Sequence, residues 1–302
     1  MRSRLATVAA AIVILAAGCT HSGDQSPPRG VFAIGGGRSL FLDCQGSGSP
    51  PVLIIPGKGS YAEAWNVVVA PDDPIRSSPY DIIEQARLGP SPEAVQPRLA
   101  RDRLVCAYDR PNTRPDGPDR STPIPQPHHL GRDVDDIVTL IGAAGLKGPF
   151  VVVAHSYGGL IADLLARTHP DLVAALVMVD PVSEFLPWVG TPAQNAAFDR
   201  DGRVPAIPDG EAVLFDDAFA RIQGAPALPR VPAVVLSSGK FFPPQMLTPQ
   251  NYTQAQIHRA NDMLAAALAT TNSVVADSGH NVMLYDPTAV VDAVDAVAAG
   301  SR

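Results

Sequence analysis

Six continuous apolar runs constrain this chain more than any other feature: Val52 to Ile55, Leu104 to Tyr108, Phe150 to Val153, Leu176 to Val179, Ala233 to Leu236 and Val274 to Ala276. They do not alternate with polar residues, and segments of helical length separate them. A strand with one wet face must alternate, whereas a strand covered on both faces need not. The pattern therefore predicts an α/β fold, a mostly parallel central sheet with helices on both faces. Ahead of these runs, Val31 to Ile34 and Leu40 to Cys44 flank the turn Gly35 Gly36 Gly37 Arg38 and read as a hairpin. No helix start follows the three glycines, which favours a turn over a phosphate cradle.

The residues that end these runs carry the chemistry. After Val153 comes Ala154 His155 Ser156 Tyr157 Gly158 Gly159, then a segment with Leu160, Ile161, Leu164 and Leu165 on one face that stops near Pro170. A serine hydroxyl is presented to a base from a sharp strand-to-helix turn with a strained backbone, and such a turn needs small neighbours. Gly158 supplies one of them. Ala154 stands where the G-x-S-x-G form has its first glycine, a departure of one methyl. Ser156 is the candidate nucleophile. Pro56 Gly57 Lys58 Gly59, Asp109 Arg110, Asp180 and Ser278 Gly279 His280 end other runs, at the sheet edge where open α/β folds carry their sites. Two stretches break the alternation of strands and helices. Pro71 to Arg98 is rich in proline and charge. Pro181 to Arg230 is long and loop-like, contains Trp188, Phe198, Phe215 and Phe219, and reads as a lid insertion at about 181–230, after the sixth strand.

At 302 residues the chain suits one α/β domain with an insertion. Its 31 prolines and 25 glycines imply many loops. A formal charge of −7 without a basic cluster argues against nucleic acid as a partner. Residues 1–18 read as an export signal: Arg2 and Arg4 precede an apolar stretch from Leu5 to Ala17, shorter than the ~20 residues that a spanning helix needs. Leu15 Ala16 Ala17 Gly18 Cys19 resembles a bacterial lipobox, with Ala16 where leucine is commonest; simple cleavage at Gly18 is the alternative. The expectation is an exported protein, lipidated on Cys19 and anchored at the outer face of the bacterial cell membrane, or else secreted. A polar tether at 19–30 would precede a domain at 31–302. Cys44 and Cys106 lack metal-ligand spacing and sit near the ends of segments read as neighbouring strands; a disulfide and two buried thiols both fit.

The Pro56–Gly59 loop, Tyr108 Asp109 Arg110, the Ser156 elbow, Leu176 to Pro181 and Asp277 Ser278 Gly279 His280 Asn281 together resemble the α/β-hydrolase superfamily in its serine-hydrolase branch, over essentially Val31 to Ala299. The resemblance implies an α/β-hydrolase fold and a triad in the chain order serine, acid, histidine. His280, between the last strand and a closing helix from Pro287 to Ala299, would be the general base. Similar enzymes carry the acid after the strand that ends here at Leu236, or in a subset at the end of the preceding one. The former site reads Ser237 Ser238 Gly239 Lys240 Phe241 and has no carboxylate, which turns the choice to Asp180, with Asp277 as its rival. The resemblance also implies an oxyanion hole made by the backbone amides of Lys58 and Tyr157. The Lys58 side chain would be an exposed lysine or attract an anionic substrate. His155, His128 and His129 read as structural.

A serine at the elbow argues against dehalogenases and epoxide hydrolases of this fold, which use aspartate there. No cofactor is implied, since the chain has neither a metal-ligand cluster nor a dinucleotide fingerprint. The expected function is an exported serine hydrolase that cleaves a carboxylic ester or related acyl bond of a small molecule through an acyl-enzyme. A non-catalytic lipoprotein that keeps the fold and holds a lipid or a partner is the competing reading.

Overall fold

The computed structural model of the chain describes residues 26–114 and 117–300. The expected signal segment and Cys19 lie outside the described residues. The hairpin forms as β1 (Arg29–Gly35) and β2 (Arg38–Gln45), and Gly35, Gly36 and Gly37 at its turn all take positive φ. There follow β3 (Val52–Ile55), a small antiparallel pair β4 (Val67–Val69) and β5 (Leu88–Pro90), a short helix α1 (Val95–Leu99) and β6 (Val105–Asp109). Then come α2 (Leu130–Ala143), β7 (Phe150–His155), α3 (Gly158–Thr168) and β8 (Val173–Val179). The lid carries α4 (Leu186–Val189), α5 (Pro192–Gly202) and α6 (Phe215–Gln223). The chain closes with β9 (Ala233–Ser238), α7 (Gln254–Ala267), β10 (Asn272–Val275), α8 (Val282–Tyr285) and α9 (Pro287–Gly300).

The main sheet has eight strands in the order β1-β2-β6-β3-β7-β8-β9-β10, antiparallel through β1, β2 and β6 and parallel from β6 onward. The continuous apolar runs are explained by how their side chains divide. In β7, Phe150, Val152 and Ala154 enter one core with α2, α3 and α7; Val151 and Val153 enter the other with α1, α8 and α9. In β8, Leu176 and Met178 take the first side, and Ala175, Val177 and Val179 the second. Each strand serves two cores because helices cover both faces. The last strand departs from expectation. β10 is an edge strand that begins at Asn272, two residues ahead of the expected run, and its Ser273 and Val274 are exposed, so the run from Val274 to Ala276 is not covered on both faces.

The neighbours of β3 are β6 on one side and β7 on the other, so the winding of the sheet reverses there. Crevices at such reversals, beyond the carboxyl ends of the strands, are where open α/β sheets place ligands. The lid is more helical than its sequence suggests. Thr191 and Gln194 close a capping box that starts α5, and Phe215, Ala218, Phe219 and Ile222 give α6 one buried face.

Candidate active site

At the end of β7 the chain makes the turn its sequence implies. Ser156 has φ 52°, in the left-handed region that a residue with a side chain adopts at a cost, and its N–H donates to Val179 O at 3.3 Å. The turn tolerates no extra atoms on its helical side. A Cβ on Gly158 would meet the carbonyl oxygens of Ile55 and Pro56, and one on Gly159 would lie 2.6 Å from Pro181 Cβ. Ala154 sits within the sheet, fully buried, where a methyl group fits the core.

Asp180 closes β8 with φ 40° and is buried. Its Oδ2 lies 2.7 Å from His280 Nδ1, and its Oδ1 accepts the Ser238 N–H at 3.0 Å. Burial opposes the charge on each partner, yet their mutual hydrogen bond and attraction win. Asp180 is held below the usual carboxylate range, and His280, 37% exposed at the cavity wall, is raised above the usual histidine value, with a smaller contribution from Asp81. Asp277, three residues before the histidine, is exposed, and no hydrogen bond joins it to His280.

Two further groups hold His280. Asp81, from the excursion after β4, accepts the His280 N–H at 2.7 Å and the Tyr285 hydroxyl at 2.9 Å; a Cβ on Gly279 would fall onto its carboxylate. His155 donates from Nε2 to His280 O at 3.0 Å, with its ring centroid 4.6 Å from that of His280. Burial, aided by the neighbouring His280, pushes the His155 pKa down to about 3, so it stays neutral. Its Nδ1 is buried without a partner, against Gly57, where a Cβ would lie 2.8 Å away.

The Pro56–Gly59 loop rests on a buried charged pair. Arg110, at the end of β6, donates from Nε to Glu211 Oε1 at 2.6 Å, from Nη2 to Glu211 Oε2 at 3.0 Å, from Nη1 to Pro56 O at 2.6 Å, and from Nη2 to Gly57 O. Glu211 Oε2 also accepts the Gly59 N–H at 2.5 Å. The backbone N–H groups of Lys58 and Tyr157 have no hydrogen-bond partner among the described residues. The Lys58 side chain is neither free nor paired with an acid: Nζ donates to Val204 O at 2.8 Å and Asp201 O at 3.2 Å, both in the lid, and burial lowers its pKa.

Next to this pair, the Asp133 carboxylate lies 3.0 Å from His128 Nε2 and accepts the Tyr157 hydroxyl at 2.6 Å. Ligand atoms of His128, Asp133 and Glu211 come within 4.8 Å of one another, a spacing a cation could use. Arg110 already neutralises Glu211, and His128, whose pKa Asp133 raises against the cost of burial, balances Asp133. The cluster is complete as a structural network. His129, by contrast, is largely exposed beside Asp217 at 3.1 Å.

Ser156, Tyr157, Asp180, His280, Lys58 and Asp81 line one cavity of about 310 Å³. Its remaining wall is mainly apolar. Leu186, Phe198 and Phe215 come from the lid, Phe241, Phe242 and Tyr252 from the segment between β9 and α7, and Ile257 from α7 itself. Of the aromatic residues expected in the lid, Phe198 and Phe215 reach the cavity; Phe219 stacks behind Phe215 at 6.2 Å, and Trp188 is 64% exposed. The wall after β9, Asp81 and Glu211 carry no local sequence signal. Arg110, which the sequence marks as a strand end and as part of the Tyr108 Asp109 Arg110 motif, lies beneath the first loop instead of lining the cavity.

Comparison with known proteins follows the same lines. The model described as the alpha/beta hydrolase family matches residues 52–293. An uncharacterised protein of Schizosaccharomyces pombe is 35% identical over 86 residues, 28% of this chain and 15% of its own length. The lipase LipV of Mycobacterium tuberculosis is 44% identical over 60 residues, 20% of this chain and 23% of its own. The matched segments thus span less than a quarter of either relative. A solved structure of a thermophilic esterase from Thermogutta terrifontis superposes with TM-score 0.55 at 17% identity, covering 91% of this chain and 99% of that one. With most of its length matched by the family model and the fold shared over 91% of it, the chain belongs to the alpha/beta hydrolase family.

Proposed function

We propose that the protein is a serine hydrolase of small, apolar carboxylic esters, with Ser156 as nucleophile, His280 as general base and Asp180 as the acid that orients it. The observation that carries this reading is the 2.7 Å bond from His280 Nδ1 to Asp180, beside a strained Ser156 on the same cavity. With Nδ1 engaged, Nε2 is the ring nitrogen available to the Ser156 hydroxyl. His280 takes the Oγ proton as Oγ attacks the ester carbonyl. The amides of Lys58 and Tyr157 receive the oxyanion. Collapse of the tetrahedral intermediate transfers the proton from His280 to the leaving alkoxide and leaves an acyl-Ser156, which water hydrolyses with His280 again as base. The mainly apolar wall favours an uncharged acyl group, and a cavity near the lower end of the ligand-site range favours a compact one. The short likeness to a lipase supports the same class of bond.

Replacing Ser156 with alanine should lower hydrolysis of an activated ester by about 10⁴-fold or more. Stoichiometric labelling of Ser156 by a fluorophosphonate, lost in that variant, distinguishes the enzyme from a lipid- or partner-binding protein of the same fold. Full ester hydrolysis by Ser156→Ala would sink the proposal.

We further propose export and lipid anchoring through Cys19. The lipobox-like Leu15 to Cys19 motivates this, and the Cys44–Cys106 disulfide, which belongs in an oxidising compartment, supports export. Expressed with its full N-terminus in a bacterium that processes lipoproteins, the wild type should partition with membranes, and Cys19→Ala should not. Equal recovery of both from the membrane fraction would exclude the anchor.

A further inference from the structure

We propose that the lid does more than shape the substrate cavity: through Glu211 it completes the oxyanion hole, with Arg110 and Glu211 acting as a positioning pair for the Lys58 amide. The inference rests on the serine-hydrolase reading above and concerns how one of its two oxyanion donors is aimed.

The geometry is specific to one peptide group. The Gly57 carbonyl and the Lys58 N–H belong to the same trans peptide plane and point in opposite directions. Arg110 Nη2 donates to that carbonyl, so the guanidinium fixes the direction in which the Lys58 N–H points. Donation to the oxygen of an amide also polarises its N–H and makes it a better donor. The same guanidinium holds Pro56 O through Nη1, on the peptide group before.

Arg110 cannot be aimed alone. A flexible side chain must be fixed before it can fix anything else, and a buried guanidinium needs a counter-charge. Glu211 meets both needs, taking Nε and Nη2 in a two-point contact at 2.6 and 3.0 Å. Its Oε2 also accepts the Gly59 N–H, which pins the peptide group that follows Lys58. The donor residue is therefore held on both sides, from below by a guanidinium of the sheet and from the flank by a carboxylate of the lid. Lys58 Nζ adds a third tie by donating to the lid carbonyls of Asp201 and Val204. Arg110 and Glu211 are both almost fully buried, so water does not compete for the bonds that Arg110 makes to Glu211, Pro56 and Gly57.

Two variants separate aiming from mere stability. Arg110→Lys keeps a positive charge opposite Glu211, but an ammonium lacks the planar fork needed to hold a carboxylate and two carbonyls together. Glu211→Asp keeps the negative charge and withdraws it by one methylene from Gly59 and Arg110. Active sites are counted by fluorophosphonate titration, and kcat per titrated site, KM and the affinities of a boronic acid and of the planar product carboxylate are measured. Loss of a whole oxyanion donor costs about 10²- to 10³-fold in kcat. A misaimed donor should cost at least about 10-fold in Arg110→Lys and less in Glu211→Asp, with matching loss of boronic acid affinity. KM and carboxylate affinity should stay within about two-fold. A purely structural pair would lower the melting temperature or the titratable fraction and leave kcat per site unchanged. That result, in either folded variant, overturns the inference. A wild-type enzyme that fluorophosphonate does not label refutes the serine mechanism instead.

Discussion

Asp81 and His280, 199 residues apart, are joined by a 2.7 Å hydrogen bond from the histidine's own N–H to the carboxylate Oδ2. The bond fixes the main chain of the loop that carries the candidate base, and the Tyr285 hydroxyl holds the carboxylate's other oxygen. Asp81 is thus a support for His280 that makes no contact with the ring nitrogen that would move protons. Its charge also favours the imidazolium.

Asp81→Asn should accordingly lower kcat by about 10-fold with little change in KM, since misplacing a catalytic group by an ångström or less is costly to the reaction. Because removing the negative charge lowers the His280 pKa, the acid limb of the kcat/KM profile should move to lower pH. A profile recorded from pH 4 to 9 with an uncharged ester checks both effects.

In the wild type, the acid limb should have its midpoint above ~6.5, the ordinary histidine value. The sign follows from the pair. Asp180 stabilises the protonated ring against the opposing effect of burial, and only the neutral ring can accept the serine proton. Activity is therefore lost as pH falls through the raised pKa. Asp180→Asn removes the acceptor that holds Nδ1–H and should cost about 10⁴-fold in kcat. Asp277→Asn, at an exposed position, should change kcat by less than about two-fold. Initial-rate kinetics on the two variants decide between the carboxylates.

Gly158→Ala should destabilise the fold by about 1–3 kcal/mol, because the new methyl meets the Ile55 and Pro56 carbonyls at the end of β3. The urea midpoint measures the loss. The substitution should also impair the ester reaction in whatever folded protein remains, since those carbonyls adjoin the loop that carries Lys58.

Cys44 and Cys106 face each other across the antiparallel β2–β6 pair and are joined by a disulfide with Sγ–Sγ 2.07 Å. Titration of the unfolded, unreduced protein should find no free thiol from these two residues. Replacing both with alanine should lower stability by about 2–4 kcal/mol, as expected for a cross-link that closes a loop of 62 residues in the unfolded chain.

What could be read in advance follows from where the information sits. Ser156, Asp180 and His280 each end or follow an apolar run, and a parallel sheet brings such ends to one edge. The two-sided burial of β3, β6, β7 and β8 is written in runs that do not alternate. Asp81 and Glu211 leave no such trace. Each is one acid among several in a proline-rich stretch without period, and its partner lies far away in the chain. The lid helices were illegible for a related reason. α5 mixes polar and apolar residues around its circumference, and its start is set by the Thr191–Gln194 capping box. The sequence did not register the second wall of the cavity either, because Phe241, Phe242 and Tyr252 belong to a connection whose side chains share a direction with Ile257 of α7 only after β9 and α7 pack.

The end of β9 lacks a carboxylate, and its Ser238 N–H holds Asp180 Oδ1 at 3.0 Å. Two neighbouring strand ends therefore converge on one point beside His280, one contributing the acid and the other gripping it. On the proposed mechanism, what the geometry requires is a negative charge at that point, whichever strand delivers it. Adjacent strand ends of one sheet thereby divide the task, the strand without a carboxylate supplying the backbone donor that receives the other's.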